Sequence, residues 1–429
     1  MSKHKHPNMA LIEASLKKRY RRERRFQWLG RMAVLTGFVF LVALMLDIVI
    51  KGTPAFSQYY IQLPIDFDAT ELGLAAEPDE AALNAADFSL PIKRSLRELF
   101  PAVTDRGERR LLYRLVSYGA EYQLRDMLKA DPALMGESIE VWLLAQASAG
   151  SYLKGQFDRS TPQEERRLSD AQMSWLDALK EAGRTDSRFN VMFFTGGDSR
   201  EPEMAGIRAA LQGSFFTLLV TFALAFPIGL FSAIYLEEFA PRNRITDLIE
   251  ININNLAAVP SIVFGLLGLA VFLNFFELPR SAPLVGGMVL SLMTLPTIII
   301  TSRASIQAVS PSIREAALGV GASKLQVVFH HVLPVAMPGI LTGSIIGMAQ
   351  ALGESAPLLM IGMVAFIMDP PLAASDPATV LPVQIFIWAD SPERGFTEKT
   401  SAAIMVLMGF LILMNALAIY LRRRFETKQ

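Results

Sequence analysis

The chain contains no cysteine among its 429 residues, which excludes a disulfide framework, a thiolate zinc site and a cysteine nucleophile. Histidine is nearly as scarce, at four residues, and His4 and His6 lie in the N-terminal tail, where they read as surface residues rather than metal ligands. Charge is also thin: 19% of residues are charged and 52% are hydrophobic, too apolar a mixture for an ordinary soluble enzyme. The formal net charge of zero conceals an uneven distribution along the chain, and that distribution suggests a topology.

Residues 1–31 hold ten Lys or Arg against two Glu, with Lys17-Lys18-Arg19 and Arg21-Arg22-Glu23-Arg24-Arg25 packed ahead of Trp28. Such an arm suits nucleic acid or anionic lipid. An apolar span over residues 32–50 follows at once, so the arm reads as a cytoplasmic juxtamembrane anchor on membrane lipid, with no nucleic-acid partner. A cleaved signal peptide is disfavoured, because the apolar run is long and no small-residue cleavage pattern follows.

Residues 51–208 are polar for 158 positions, enough for one small domain. Thr161-Pro162-Gln163-Glu164 has the pattern of a capping box with proline at the first helical position; Leu168, Trp175, Leu176 and Leu179 then share a face, and Gly183 ends the run. A second amphipathic helix carries Leu111, Leu112, Leu115 and Val116. The domain is expected to be mostly helical. It holds no His and no Cys, so a structural or protein-binding role outweighs a catalytic one.

Five further uncharged stretches, 209–236, 256–276, 281–302, 335–353 and 401–421, are each long enough to cross roughly 30 Å of hydrocarbon. With 32–50 they make six spans. If the arm is cytoplasmic, the inner segments hold nineteen Lys or Arg and the short outer loops three, Arg280, Arg394 and Lys399. Both termini are then cytoplasmic and 51–208 is an extracytoplasmic (periplasmic) domain. Pro227, Pro260, Pro296 and Pro338 break or kink spans. Gly339, Gly343 and Gly347 form a small-residue stripe, read as helix packing within or between subunits rather than pore lining.

The loop 303–334 reads as two short helices. Ser310-Pro311 starts the first, Gly319 or Gly321 ends it, and Ser323 caps a second bearing Leu325, Val328, Phe329 and Val332 on one side. Gly319-Val320-Gly321-Ala322-Ser323-Lys324 lacks the spacing of a phosphate loop, so ATP binding is not expected and no cofactor is expected. Glu354, between Gly353 and Pro357, is an acid at the edge of an apolar span. Its cost marks it as functional, as a gate element or as the partner of a cation such as Arg303. Arg303 and Arg280 read as interfacial anchors or anion contacts.

Several of these stretches resemble one family. Glu315-Ala316-Ala317, Gly321, and Leu333-Pro334 twelve residues beyond that glycine are similar to the EAA loop of bacterial ABC importer permeases. Gly353-Glu354-Ser355-Ala356-Pro357-Leu358-Leu359 resembles the phosphate branch, of the PstA type. Pro227-Ile228-Gly229, the stretch from Ala258 to Gly265 and that from Ser310 to Ala316 extend the likeness over roughly residues 205–425. His331 stands where the pattern has an aliphatic residue, and Gln350 where many relatives carry Arg.

The resemblance implies an all-α membrane protein with six transmembrane helices, a type I ABC importer (MetI-like) core over 209–425 and a mostly helical domain between the first two spans. It implies a non-catalytic inner-membrane subunit whose loop, through Glu315, Ala316, Ala317, Gly321, Leu333 and Pro334, docks on a separate ATPase. The implied partners are a permease of the PstC type, an ATPase dimer of the PstB type and a phosphate-binding protein of the PstS type, with a phosphate-signalling regulator as a further candidate. Gln350, Glu354, Ser355, Pro357, Arg280 and Arg303 are the translocation or gate candidates. Sulfate or another oxyanion is the alternative substrate, and a membrane sensor or scaffold the alternative class.

Overall fold

The structure, a computed structural model, describes residues 7–75, 78–157, 159–160, 162, 166–364 and 366–425. His4, His6 and most of the expected cap at Thr161–Glu164 lie outside the described residues. The chain divides into two units, one up to Lys51 and one from Gly52 onward. The first is the helix α1 (Pro7–Gly52), 46 residues and so about 69 Å long, in which basic arm and apolar span form one continuous helix.

In the second unit the polar segment builds a three-stranded antiparallel sheet in the order β2-β1-β3, from β1 (Ser57–Asp66), β2 (Ser138–Leu144) and β3 (Thr185–Phe189). The sequence did not announce this sheet. Alternation in β1 turns Ile61, Leu63 and Ile65 to one buried face. That face is covered by helices α2 (Ser89–Leu99), α3 (Arg106–Tyr113), α4 (Gly119–Ala130) and α5 (Asp170–Glu181), through Ile92 and Leu96, Leu112, Leu124 and Leu128, and Leu176 and Leu179. The domain is mostly helical, as expected. The cap of α5 is Ser169, whose hydroxyl accepts from Gln172 N while Gln172 Oε1 accepts from Ser169 N, and Gly183 at φ +70° closes the helix.

The apolar remainder forms α6 (Arg208–Phe239), α7 (Arg244–Ala257), α8 (Ser261–Phe275), α9 (Pro283–Gln307), α10 (Pro311–Gly319), α11 (Lys324–Gly353), α12 (Ala356–Met360), α13 (Leu381–Ala389) and α14 (Gly395–Phe425). Five helices among the described residues are long and apolar enough to cross a membrane, and six if the α7–α8 pair counts as one. The expected span 256–276 takes a different form: it is the second arm, α8, of a pair in which α7 and α8 meet at 99°, with the break at Ala258-Val259-Pro260, where Pro260 is expected to break or kink the span. The glycine stripe is a packing seam inside the subunit. A Cβ on Gly339 would meet Ser305 Oγ at 2.5 Å, one on Gly343 would overlap Thr301, and one on Gly347 would touch Thr297 at 3.6 Å, so α11 runs antiparallel along α9.

The polar domain is clamped to the core. Lys154 Nζ pairs with Glu398 Oε2 at 2.8 Å and also donates to Pro54 O, both side chains being largely buried. Trp388 Nε1 donates to Asp198 Oδ1 at 3.0 Å, and Lys399 Nζ donates to Ala205 O at 3.0 Å. Buried Glu203 accepts from Ser117 Oγ at 2.6 Å and from Ala147 N at 3.1 Å, while its carbonyl accepts from Gln58. Burial pushes the carboxyls of Glu203 and Asp198 above the usual carboxylate range, against the opposing hydrogen bonds from Ser117 and Trp388.

Candidate functional site

The loop between α9 and α11 is built from its caps. Ser310 precedes Pro311 at the first turn of α10, where the missing N–H costs nothing. The helix ends in a Schellman turn: Gly321 N donates to Leu318 O at 3.0 Å and Ala322 N to Ala317 O at 3.1 Å, with Gly321 at φ +87°. Ser323 then caps the next helix in a box with Gln326. That helix does not stop short, as expected, but runs on through a π-helical turn, Val327–Val332, into the span. Pro334 supplies the cause: it has no N–H for the carbonyl one turn back, and a widened turn accommodates the loss. Leu333 and Pro334 are therefore inside α11 rather than at the end of a loop.

The expected apolar side of this second segment divides. Val327, Val328 and Val332 are buried, whereas Leu325 is 60% exposed and Phe329 points outward with it. Leu318 and Val320, at 53% and 85% exposed, extend this outward apolar surface onto α10, beside exposed Glu315 and Ala316; Ala317 faces inward. Glu315 is the fifth residue of α10, beyond its first turn, so its carboxylate gains little from the helix N-terminal dipole.

The broken helix α11–α12 forms the other candidate. Gly265 of α8 packs on it so tightly that a Cβ would lie 2.6 Å from Pro357 Cα, so the Ala258–Gly265 stretch and the Gly353–Leu359 stretch meet in space. Glu354 and Ser355 are half-buried in the break, Gln350 is exposed on the last turns of α11, and Arg280 is exposed in the link before α9. Arg303 does not pair with Glu354. Its guanidinium donates to Glu250 Oε1 at 2.7 Å and lies 3.5 Å from Glu237 Oε2. Extending the glycine register, Glu354 falls beside residue 290 of α9, about 20 Å along the helix from Arg303.

Sequence reasoning missed a second arginine. Arg314 of α10 donates Nε and Nη2 to Glu238 Oε1 at 3.1 and 2.8 Å, and its remaining donors reach Val309 O and Ile306 O. The available signal was two adjacent acids, Glu237-Glu238, at the end of an apolar run.

Residues 225–427 match the family described as binding-protein-dependent transport system inner membrane component, and residues 13–163 match a domain of unknown function, DUF3333. The chain is 33% identical over 174 residues to the probable ABC transporter permease protein YqgI of Bacillus subtilis, covering 40% of this chain and 58% of that protein. It is 30% identical over 230 residues to YqgH of the same organism, another probable ABC transporter permease, covering 52% of this chain and 72% of that one. It is 28% identical over 244 residues to the phosphate transport system permease protein PstA of Haemophilus influenzae, covering 56% and 83%. The chain belongs to the ABC importer permeases, the binding-protein-dependent inner membrane components, and is a multi-pass membrane subunit of that kind. Within the family it is similar to the PstA type.

Proposed function

We propose that this chain is the permease subunit of an ATP-driven importer of inorganic phosphate. It would form the translocation path with a second permease of the PstC type, receive phosphate from a binding protein of the PstS type and draw its energy from an ATPase dimer of the PstB type. The observation that carries the reading is the α10 turn: Leu318, Val320 and Leu325 expose an apolar surface next to Glu315 on a loop held by its own caps, a surface that needs a partner. Likeness to PstA permeases supports phosphate over other oxyanions. The charge distribution supports cytoplasmic termini and loop, and a polar domain on the outer face. ATP hydrolysis belongs to the separate ATPase. Reconstitution of all four components in vesicles tests the assignment: ATP-driven phosphate uptake is expected. Competition by unlabelled sulfate equal to that by phosphate would overturn the substrate.

The polar domain, on this reading, braces the outer ends of the last span. Lys154→Met should weaken phosphate uptake while leaving ATPase binding intact, since it cuts the Lys154–Glu398 pair far from the loop; unchanged uptake would mean that this pair is not needed for transport.

A further inference from the structure

The inner end of α6 gathers contacts from three other elements. Its last turn, Tyr235–Phe239, is π-helical and sets Glu237 and Glu238 on different sides. Glu237 meets α9, through Gln307 Nε2 at 2.8 Å and Arg303 at 3.5 Å. Glu238 meets α10 through Arg314, and Lys324 at the start of α11 lies 5.2 Å over the Phe239 ring. Glu238 is the more buried acid, with its side chain 10% exposed against 23% for Arg314, so solvent and salt screen this pair less than a surface pair.

Arg314 does more than pair. Ile306 lies in the last turn of α9 and Val309 in the link beyond it, and the guanidinium donates to both carbonyls, at 2.9 and 2.7 Å, that of Ile306 also accepting from Val309 N. One side chain thus fastens α10 to α6 by charge and to the end of α9 and its following link by hydrogen bonds to main-chain carbonyls. Apart from these bonds α10 is a nine-residue helix between the short link at Ala308–Ser310 and the glycine turn, held by Ala317 and Ile313 in an apolar cluster shared with α6, α9 and α11. That apolar packing is non-directional, so the directed bonds of Arg314 are what hold α10 in one orientation when a force acts on it.

We infer that Arg314 and Glu238 are the transmission pair of this permease: they make α10 and the inner ends of α6 and α9 move as one body when the ATPase moves α10. This rests on the importer reading above. Neither residue contributes to the exposed apolar face, so docking and transmission are separable by mutation.

The test uses the full reconstituted complex. Arg314→Gln and Glu238→Gln should each retain the co-purifying ATPase and its hydrolysis yet lower phosphate taken up per ATP on the order of tenfold, the scale of a lost charged hydrogen bond. The double variant should be no worse than Arg314→Gln alone, which already removes the Glu238 pair together with the two carbonyl bonds. A second readout does not depend on the substrate. The native chain has no cysteine, so spin labels at Ser312→Cys on α10 and Phe231→Cys on α6 report one distance. It should stay constant between nucleotide-free and ATP-bound complexes, and change with nucleotide in Arg314→Gln. Single variants with full uptake per ATP, defects that multiply in the double, or a distance that shifts in the otherwise native pair would each overturn the inference. A native complex that holds this distance but imports no phosphate would instead overturn the substrate reading alone.

Discussion

Gly321 offers a substitution whose cost can be assigned to a single cause. Its φ is +87°, and a Cβ built there would have no heavy atom within 4 Å, so crowding inside the subunit contributes nothing to any change of side chain. What remains is the backbone. A β-branched residue held at positive φ costs about 1–3 kcal/mol, whereas asparagine visits the left-handed region far more readily. At about 1.4 kcal/mol per factor of ten, Gly321→Val should reduce the population of the native turn by roughly tenfold or more. Losing the turn frees the carbonyls of Ala317 and Leu318 and re-aims α10, which carries Leu318 and Val320, relative to α11, which carries Leu325. Co-purification of the ATPase with Gly321→Val should therefore fall about tenfold, while Gly321→Asn retains most of it and both variants melt like the native permease. If Asn weakens binding as much as Val, bulk at the docking surface is responsible and the backbone argument fails. If neither weakens it, the loop does not dock.

Two further outcomes follow from other parts of the fold. Because burial raises the folded-state pKa of Glu203, its protonated form is favoured on folding; that contribution is complete below the ordinary carboxylate range and is lost as pH rises through the raised value. Thermal melting should then show the native chain gaining stability over Glu203→Gln on mild acidification, and an unchanged difference across that range would contradict the assignment. On the glycine seam, Gly343→Val forces a branched side chain into Thr301 and should destabilise by about 1–3 kcal/mol, while Gly347→Ala, with its nearest neighbour at 3.6 Å, should cost less than half as much; equal melting points would refute the seam.

Features with a period were legible, and features that depend on register were not. The uncharged runs announced the spans, and Ser310-Pro311, Gly321 and Ser323 announced α10 and its turn because caps act within a few residues. Pro260 announced a break, but not that a helix precedes it: Asn252, Asn254 and Asn255 make α7 look like loop although Asn243 caps it through Ile245 N and Thr246 N. The sheet was hidden by Pro64 in its central strand. The register explains why proline is tolerated there: β3 pairs with β1 only from Ser57 to Ile61, so at Pro64 one side of the strand has no partner to lose.

Charge pairing was the least legible, since Arg314 lies 76 residues from Glu238 and Lys154 lies 244 from Glu398. The glycine stripe shows what was missing. Its spacing alone said that some helix comes close; only the match of Gly339, Gly343 and Gly347 with Ser305, Thr301 and Thr297 says which helix, in which direction and at what offset. That offset carries Glu354 away from Arg303, and Arg303 is in any case held by Glu237 and Glu250. An acid at that depth is costly unless hydrated or paired. Its partner therefore has to be sought toward the Pro283 end of α9, in water, or on another chain, and not in the arginine of its own α9 that sequence position suggested.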